Sequence, residues 1–299
     1  MTNRSLAKLT AIVIVLATFA GGCSRDKSEE NSTPITTAAI PLEGKSPEHI
    51  ETSCLSPNPK FTNRGTTSVL GGTRPDAHQL SGIDWIVTSK CERIVFSFVT
   101  NHGAPASQIG LSRLEFEPEQ RILRIEMPRD VNVSAVANAR IEGTLTERAF
   151  VVRSQSGSLS VDLHLSDQIS IKARGLIVDS PARLIIDLQP DPDGNPIEGS
   201  PPIISRDIVV LAPAAGEINY PLRVRGYART RSDLIIARLE STGPNLERRV
   251  ATAPSSDSWG EFATTISEGP SGDVTLIVAE EKETFDNSDA ELSIPLLIP

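Results

Sequence analysis

Short runs in which apolar and polar residues alternate constrain the fold of this chain more than any other feature. In the run from Leu159 to Leu165 (LSVDLHL), every second residue is apolar: Leu159, Val161, Leu163 and Leu165. Successive side chains of a β-strand point to opposite faces, so this pattern predicts a half-buried strand. The same period recurs along most of the chain, without an amphipathic helix of convincing length. Aromatic residues make up only 4%, with 22 Pro and 20 Gly, which suits short strands and turns. We expect an all-β protein.

The first residues form a basic segment followed by an uncharged apolar run. Arg4 and Lys8 precede the run, which ends at Ala20 and is about a dozen residues long, too short to span a membrane and typical of a cleaved signal peptide. Ala20-Gly21-Gly22-Cys23 resembles the lipobox of bacterial lipoproteins. The resemblance implies that residues 1–22 are removed, and that Cys23 then carries a diacylglyceryl group, which anchors the mature protein to the outer side of a cell membrane. Ala20 stands where a lipobox usually has Leu, so cleavage by an ordinary signal peptidase is the alternative.

Two stretches without sustained periodicity divide the rest of the chain. Residues 23–65 are mostly polar and cannot bury enough apolar area to offset their ordering entropy, so they predict a lipid-anchored flexible tether. Residues 189–203 (QPDPDGNPIEGSPPI) contain five prolines and two glycines, which interrupt both helix and sheet. We therefore expect a first β-sandwich over residues 66–189, a linker over 190–203 and a second β-sandwich over 204–299.

The charge balance excludes one large class of partner. Lys and Arg number 29 against 38 Asp and Glu, which gives a net charge of −9. Without the two basic residues of the leader the balance is 27 minus 38, or −11. Because an acidic surface repels the phosphates of nucleic acid, we expect no nucleic-acid partner.

The cysteines suggest one disulfide. Of the 3 cysteines, Cys23 is assigned to the lipid anchor, which leaves Cys54 and Cys91. In an oxidising extracytoplasmic space two remaining cysteines usually pair, so we expect a Cys54–Cys91 disulfide. Two free buried thiols or a pair of metal ligands are the alternatives.

Two segments in the first half resemble a known family. Cys91 to Phe98 (CERIVFSF) and Ser180 to Leu188 (SPARLIIDL) resemble the opening and closing strands of the AMIN-like domains of bacterial envelope lipoproteins. The resemblance implies a β-sandwich over roughly residues 80–190 and a cell-wall polymer as ligand, with Arg183 and Asp187 as candidate ligand-binding residues. Alternatively, these two side chains are the solvated face of the closing strand, because they alternate with apolar residues.

The last hundred residues resemble a second family. The segments Tyr220 to Ala228 (YPLRVRGYA), Trp259 to Phe262 (WGEF) and Leu292 to Leu296 (LSIPL) resemble the immunoglobulin-like domain associated with bacterial spore-germination lipoproteins, which implies a second β-sandwich. We expect Trp259 and Phe262 to pack in its core. An exposed binding anchor is the alternative for Trp259.

No residue pattern indicates a catalytic, metal or cofactor site. Four histidines are scattered without zinc-ligand spacing: His49, His78, His102 and His164. Nucleophile elbows and phosphate-binding glycine loops do not occur in the sequence. We therefore expect a non-catalytic envelope lipoprotein that binds or scaffolds cell-wall polymer. A structural subunit of an envelope protein complex is the alternative, and an envelope hydrolase is a third class.

Overall fold

The computed structural model describes Cys54, Ser56 and residues 60–133, 138–166, 169–194, 199–230, 232–243, 245–253, 258–281 and 291–299. The predicted signal peptide, Cys23 and most of the predicted tether lie outside these residues. Within them the named elements are strands and one short 3-10 helix, which confirms the predicted all-β fold class. No helix in this part of the chain has the length and apolarity to cross a membrane.

The N-terminal half, which we define as the described residues up to 194, forms two facing sheets. Its strands are β1 (Thr66–Val69), β2 (Gln79–Val87), β3 (Glu92–Val99), β4 (Ser112–Glu117), β5 (Ile122–Glu126), β6 (Asn132–Val133), β7 (Asn138–Arg140), β8 (Thr146–Arg153), β9 (Leu159–Leu165), β10 (Ile171–Val178) and β11 (Arg183–Pro190), with the 3-10 helix at Pro118–Gln120. Sheet 1 has the order β10-β11-β3-β2-β6, and sheet 2 begins β1-β4-β5-β9-β8.

The predicted alternation fills the core between these two sheets. Register aligns Leu184 with Phe96, and Ile186 with Ile94, on the inner face of sheet 1. All four belong to one buried apolar cluster, together with Leu163 of sheet 2. Every second residue of these strands is thus removed from water, which is the main favourable contribution to folding.

The C-terminal half, residues 199–299, repeats this arrangement. Its strands are β12 (Ile203–Ile204), β13 (Ile208–Ala212), β14 (Gly216–Glu217), β15 (Leu222–Ala228), β16 (Leu234–Glu240), β17 (Leu246–Ala251), β18 (Trp259–Ile266), β19 (Gly272–Glu280) and β20 (Glu291–Ile298). Sheet 3 has the order β14-β20-β19-β16-β17, and strands β18-β15-β13-β12 continue sheet 2. A second apolar cluster between them contains Val224, Phe262, Leu276 and Ile294.

Sheet 2 runs without interruption through both halves. β18 pairs with β8 in parallel, with Trp259 opposite Val152 and Gly260 opposite Arg153. This pairing makes sheet 2 ten-stranded, with β7 paired to β8 as the tenth strand. The predicted linker makes a second contact between the halves at Gly199. The backbone there lies so close to Pro118 that a Cβ on residue 199 would be 2.1 Å from the Pro118 carbonyl oxygen. The end of the linker therefore packs directly against the 3-10 helix.

Strand β9 differs from its predicted half-buried form. Asp162 and His164, on its predicted polar face, are as buried as the neighbouring Leu163 and Leu165. The prediction was wrong because residues of the C-terminal half cover this face.

Candidate functional site

The predicted ligand-binding residue Asp187 is fully enclosed. Its side chain has no exposed surface, because the register of sheet 1 places it between Arg174 of β10 and Arg93 of β3. Arg93 donates to its two carboxylate oxygens from Nε at 2.7 Å and from Nη2 at 3.0 Å, and Arg174 donates from Nη2 at 2.8 Å. We call these three residues the strap cluster. In this structure Asp187 is neither a solvated strand residue nor open to a ligand.

A segment that precedes the first strand covers the strap cluster. This segment, the strap, comprises Cys54, Ser56 and residues 60–62. Arg174 donates a hydrogen bond from Nη2 to the carbonyl oxygen of Cys54 at 3.1 Å and another from Nη1 to that of Ser56. Its guanidinium carbon lies 4.5 Å from the ring centroid of Phe61, a cation–π contact. Two backbone hydrogen bonds between Thr62 and Ala173, of 2.8 and 2.7 Å, fix the strap to the edge of sheet 1.

A disulfide holds the other end of the strap. Cys54 and Cys91 are bonded across 37 residues, and both are buried. Cys91 directly precedes β3, the central strand of sheet 1. The predicted pairing is confirmed, and the free-thiol and metal-ligand alternatives are excluded for this state of the chain.

Arg183, the second predicted ligand-binding residue, has a different environment. It is half-buried at the start of β11 and pairs in register with Ser97. Burial raises the pKa of nearby Asp84, and the positive charge of Arg183 partly opposes that shift. The structure therefore separates the two predicted residues: Arg183 stays accessible while Asp187 is sealed.

The outer face of sheet 2 holds a second buried region, between the two halves. Seven apolar residues form its centre and come from both sides: Ile122, Phe150, Val152, Val209, Leu211, Tyr227 and Trp259. The rings of Phe150 and Trp259 meet edge to face at 5.1 Å, and those of Phe150 and Tyr227 lie 5.3 Å apart. Such geometries add to the gain from burial. We call this region, with the charged residues beside it, the joint. Trp259 is buried as expected, but it lies in the joint. Of the two residues predicted to pack in the C-terminal core, Phe262 is the one that does so.

An ion network borders the apolar part of the joint. Arg124 donates to both oxygens of Asp162, at 2.9 and 2.7 Å. It also lies 3.2 Å from Glu117 and 3.5 Å from Glu261 of the C-terminal half. Arg225, also of the C-terminal half, lies 3.3 Å from Glu117. Burial raises the pKa of Glu117, and the charges of Arg124 and Arg225 oppose the shift. The network thus joins charges of both halves.

A histidine–tyrosine pair completes the joint. The Nε2 atom of His164 hydrogen-bonds to the hydroxyl of Tyr227, and both side chains are buried. Burial lowers the pKa of His164 to about 4, with Asp162 opposing the shift and Arg148 and Arg121 adding to it. Burial, reinforced by the charge of Asp162, raises the pKa of Tyr227. Both groups are therefore neutral at ordinary pH.

Apart from Asp187, the two cysteines and Trp259, the residues that build these two regions are not identified from the sequence. Arg93, Arg174 and Arg124 lie at outward positions of their strands, where charges are expected to be solvated. The sequence held no usable signal, because each arginine meets an aspartate of the neighbouring strand through the register, which only the structure shows. Among the described residues, no group of three or more His, Cys, Asp or Glu side chains is placed to share a metal ion. No family model, curated protein or solved structure matches this chain.

Proposed function

We propose that this chain is a non-catalytic lipoprotein of a bacterial cell envelope whose two halves act as one rigid scaffold outside the membrane. The joint is the observation that carries the proposal. Domains joined only by a linker move relative to each other unless their interface is large and hydrophobic. Here a shared sheet, an aromatic cluster and a buried ion network join the halves. Hinge motion would have to break all three.

The resemblance of residues 20–23 to a lipobox supports the membrane anchor. Two or three acyl chains on Cys23 give stable anchoring, because each buried methylene contributes about 0.8 kcal/mol. A Cys23→Ala variant should leave the membrane fraction, while the parent chain stays in it. Equal membrane retention of both chains would contradict the anchor.

A non-catalytic role accords with the way the buried polar groups are used. His164 and Tyr227, two groups with large pKa shifts, bond to each other inside the joint. Shifted pKa values also arise in structural networks, and the position of this pair between the halves favours that origin.

Cell-wall polymer is the first ligand to test, as the AMIN-like resemblance implies. Arg183 is the accessible one of the two candidate residues, so polymer binding should depend on it. The test is retention of the purified full chain, in detergent, on isolated cell-wall sacculi at several salt concentrations. Arg183→Ala should weaken retention. Arg113→Ala is the matched control, since Arg113 is exposed on a different sheet and pairs with Glu126 at 3.7 Å. If sacculi do not retain the parent chain at any salt concentration, polymer binding is wrong.

The second candidate is a structural subunit of an envelope protein complex. The observation that favours it is the exposed group of carboxylates around Leu297 on the outer face of sheet 3. Cross-linking in whole cells distinguishes the candidates, because a complex subunit gives defined protein adducts and a polymer binder does not.

A further inference from the structure

Net charge is distributed unevenly between the two halves. Residues 60–194 of the N-terminal half contain 15 Lys and Arg against 16 Asp and Glu, a net charge of −1. Residues 199–299, the C-terminal half, contain 9 against 15, a net charge of −6. The C-terminal half therefore carries most of the net negative charge of the two halves, and favours cationic partners over anionic ones.

Within the C-terminal half, the outer face of sheet 3 is exposed along strand β20. Strand β20 directs Leu292, Ile294, Leu296 and Ile298 inward, and its outward residues Glu291, Ser293, Pro295 and Leu297 are all exposed. The joint does not cover these residues, because it is built on sheet 2.

Two carboxylates flank an exposed leucine on this face. Register places Glu217 of β14 and Asp273 of β19 directly on either side of Leu297. Leu297 is 45% exposed, and both acidic residues are exposed. We call Glu217, Asp273, Glu291, Pro295 and Leu297 the acidic face.

Two arginines on strands β16 and β17 of sheet 3 are paired with carboxylates. Arg238 pairs with Glu240 at 2.8 Å, and Arg249 pairs with Glu281 at 2.9 Å. Within the described ranges, no ion pair involves Glu217, Asp273 or Glu291. The residual charge of the acidic face is therefore negative.

We propose that the acidic face docks a basic segment of another envelope protein, which places an apolar side chain against Leu297 and Pro295 and cationic side chains at Glu217 and Asp273. This inference rests on the second candidate function, the complex subunit. Anionic lipid and anionic wall polymer would be repelled by the same carboxylates. A protein–protein interface has a more apolar centre and a polar, solvent-accessible rim, and Leu297 with its two flanking carboxylates has this arrangement.

The test uses a labelled synthetic peptide of alternating Leu and Lys, and its Leu–Glu counterpart. The full chain is held in phosphatidylcholine nanodiscs, with empty nanodiscs subtracted, and affinity is measured by fluorescence anisotropy. The Leu–Lys peptide should bind, more weakly as salt rises, and the Leu–Glu peptide should not. The Glu217→Gln, Asp273→Asn double variant should bind about tenfold more weakly, since each rim charge contributes somewhat under 1 kcal/mol.

Matched controls separate the acidic face from general acidity. Glu119→Gln with Asp130→Asn removes the same charge from exposed sites of the N-terminal half and should leave affinity unchanged. Leu297→Ser should weaken binding about threefold, as expected for one partly buried apolar contact, whereas Leu70→Ser should not weaken it. Equal loss in the control and test double variants, or no Leu–Lys binding, would overturn the proposal. Neither result would bear on the proposal that the two halves form one rigid scaffold, because the distance between spin labels in the two halves tests that proposal separately.

Discussion

Two buried aspartates occupy similar positions in this protein but have different covers. Asp187 on sheet 1 and Asp162 on sheet 2 both point away from the apolar cores, and both have 0% exposure. Each accepts two hydrogen bonds from a single guanidinium, that of Arg93 or that of Arg124. The disulfide-bonded strap covers the first aspartate, whereas the C-terminal half covers the second. The strap cluster therefore fixes a cover within one half, and the joint determines how the two halves meet.

This difference indicates what each cluster contributes. Replacing a complete buried ion pair with apolar residues is often neutral for stability, but removing one partner leaves a buried charge unpaired. We therefore expect a complete buried ion pair to select one arrangement of the chain rather than to add net stability to it. On this account the strap cluster positions the strap, and the joint network sets the angle between the halves.

The largest effect is expected at Asp187. Asp187→Ala leaves Arg93 and Arg174 facing each other without their shared carboxylate, and should lower the free energy of unfolding by about 4 to 5 kcal/mol. Urea denaturation measures the change. Arg183→Ala, on the same strand, should cost less than about 1 kcal/mol because Arg183 is partly exposed. Equal costs at the two positions would contradict the sealed position of Asp187.

Removing the disulfide tests the cover of the strap cluster. Cys54→Ser with Cys91→Ser should cost about 3 to 4 kcal/mol, the chain-entropy value for a loop of this length. Hydrogen exchange should rise at Thr62 and Ala173, whose backbones bond to each other, and remain low at Tyr227. Increased exchange at Tyr227 would mean that the strap and the joint are coupled, contrary to the comparison.

Acid should weaken the joint. Burial lowers the pKa of His164 to about 4 in the folded chain. Between about pH 6.5 and pH 4 this imidazole is therefore protonated in the unfolded chain but not in the folded chain. The stability present above pH 6.5 is therefore lost as pH falls towards 4, by about 3 kcal/mol. His164→Gln, which does not titrate, should flatten the dependence in this window. If the variant lost stability with falling pH as the parent chain does, His164 would not be the cause of the acid sensitivity.

The sequence predicted the inner faces of the strands well and their outer faces poorly. Alternation identified Leu163 as a core residue, and the predicted cysteine pair is confirmed. A period of two assigns residues to a shared face, but does not reveal whether a second layer covers that face. The covers come from distant parts of the chain: Cys54 over Asp187, and Tyr227 over His164. Both polar residues were therefore expected at a solvated face or at a ligand.

The central claim is that the joint makes the two halves one rigid scaffold. Spin labels attached through non-natural amino acids at Leu70 and Leu297, exposed positions in the two halves, allow the distance between them to be measured by pulsed electron paramagnetic resonance on the full chain. We expect one narrow distance distribution for the parent chain, and a broader one for a Trp259→Ala, Arg124→Ala variant that keeps its β-sheet circular dichroism. A broad distribution in the parent chain would contradict the scaffold.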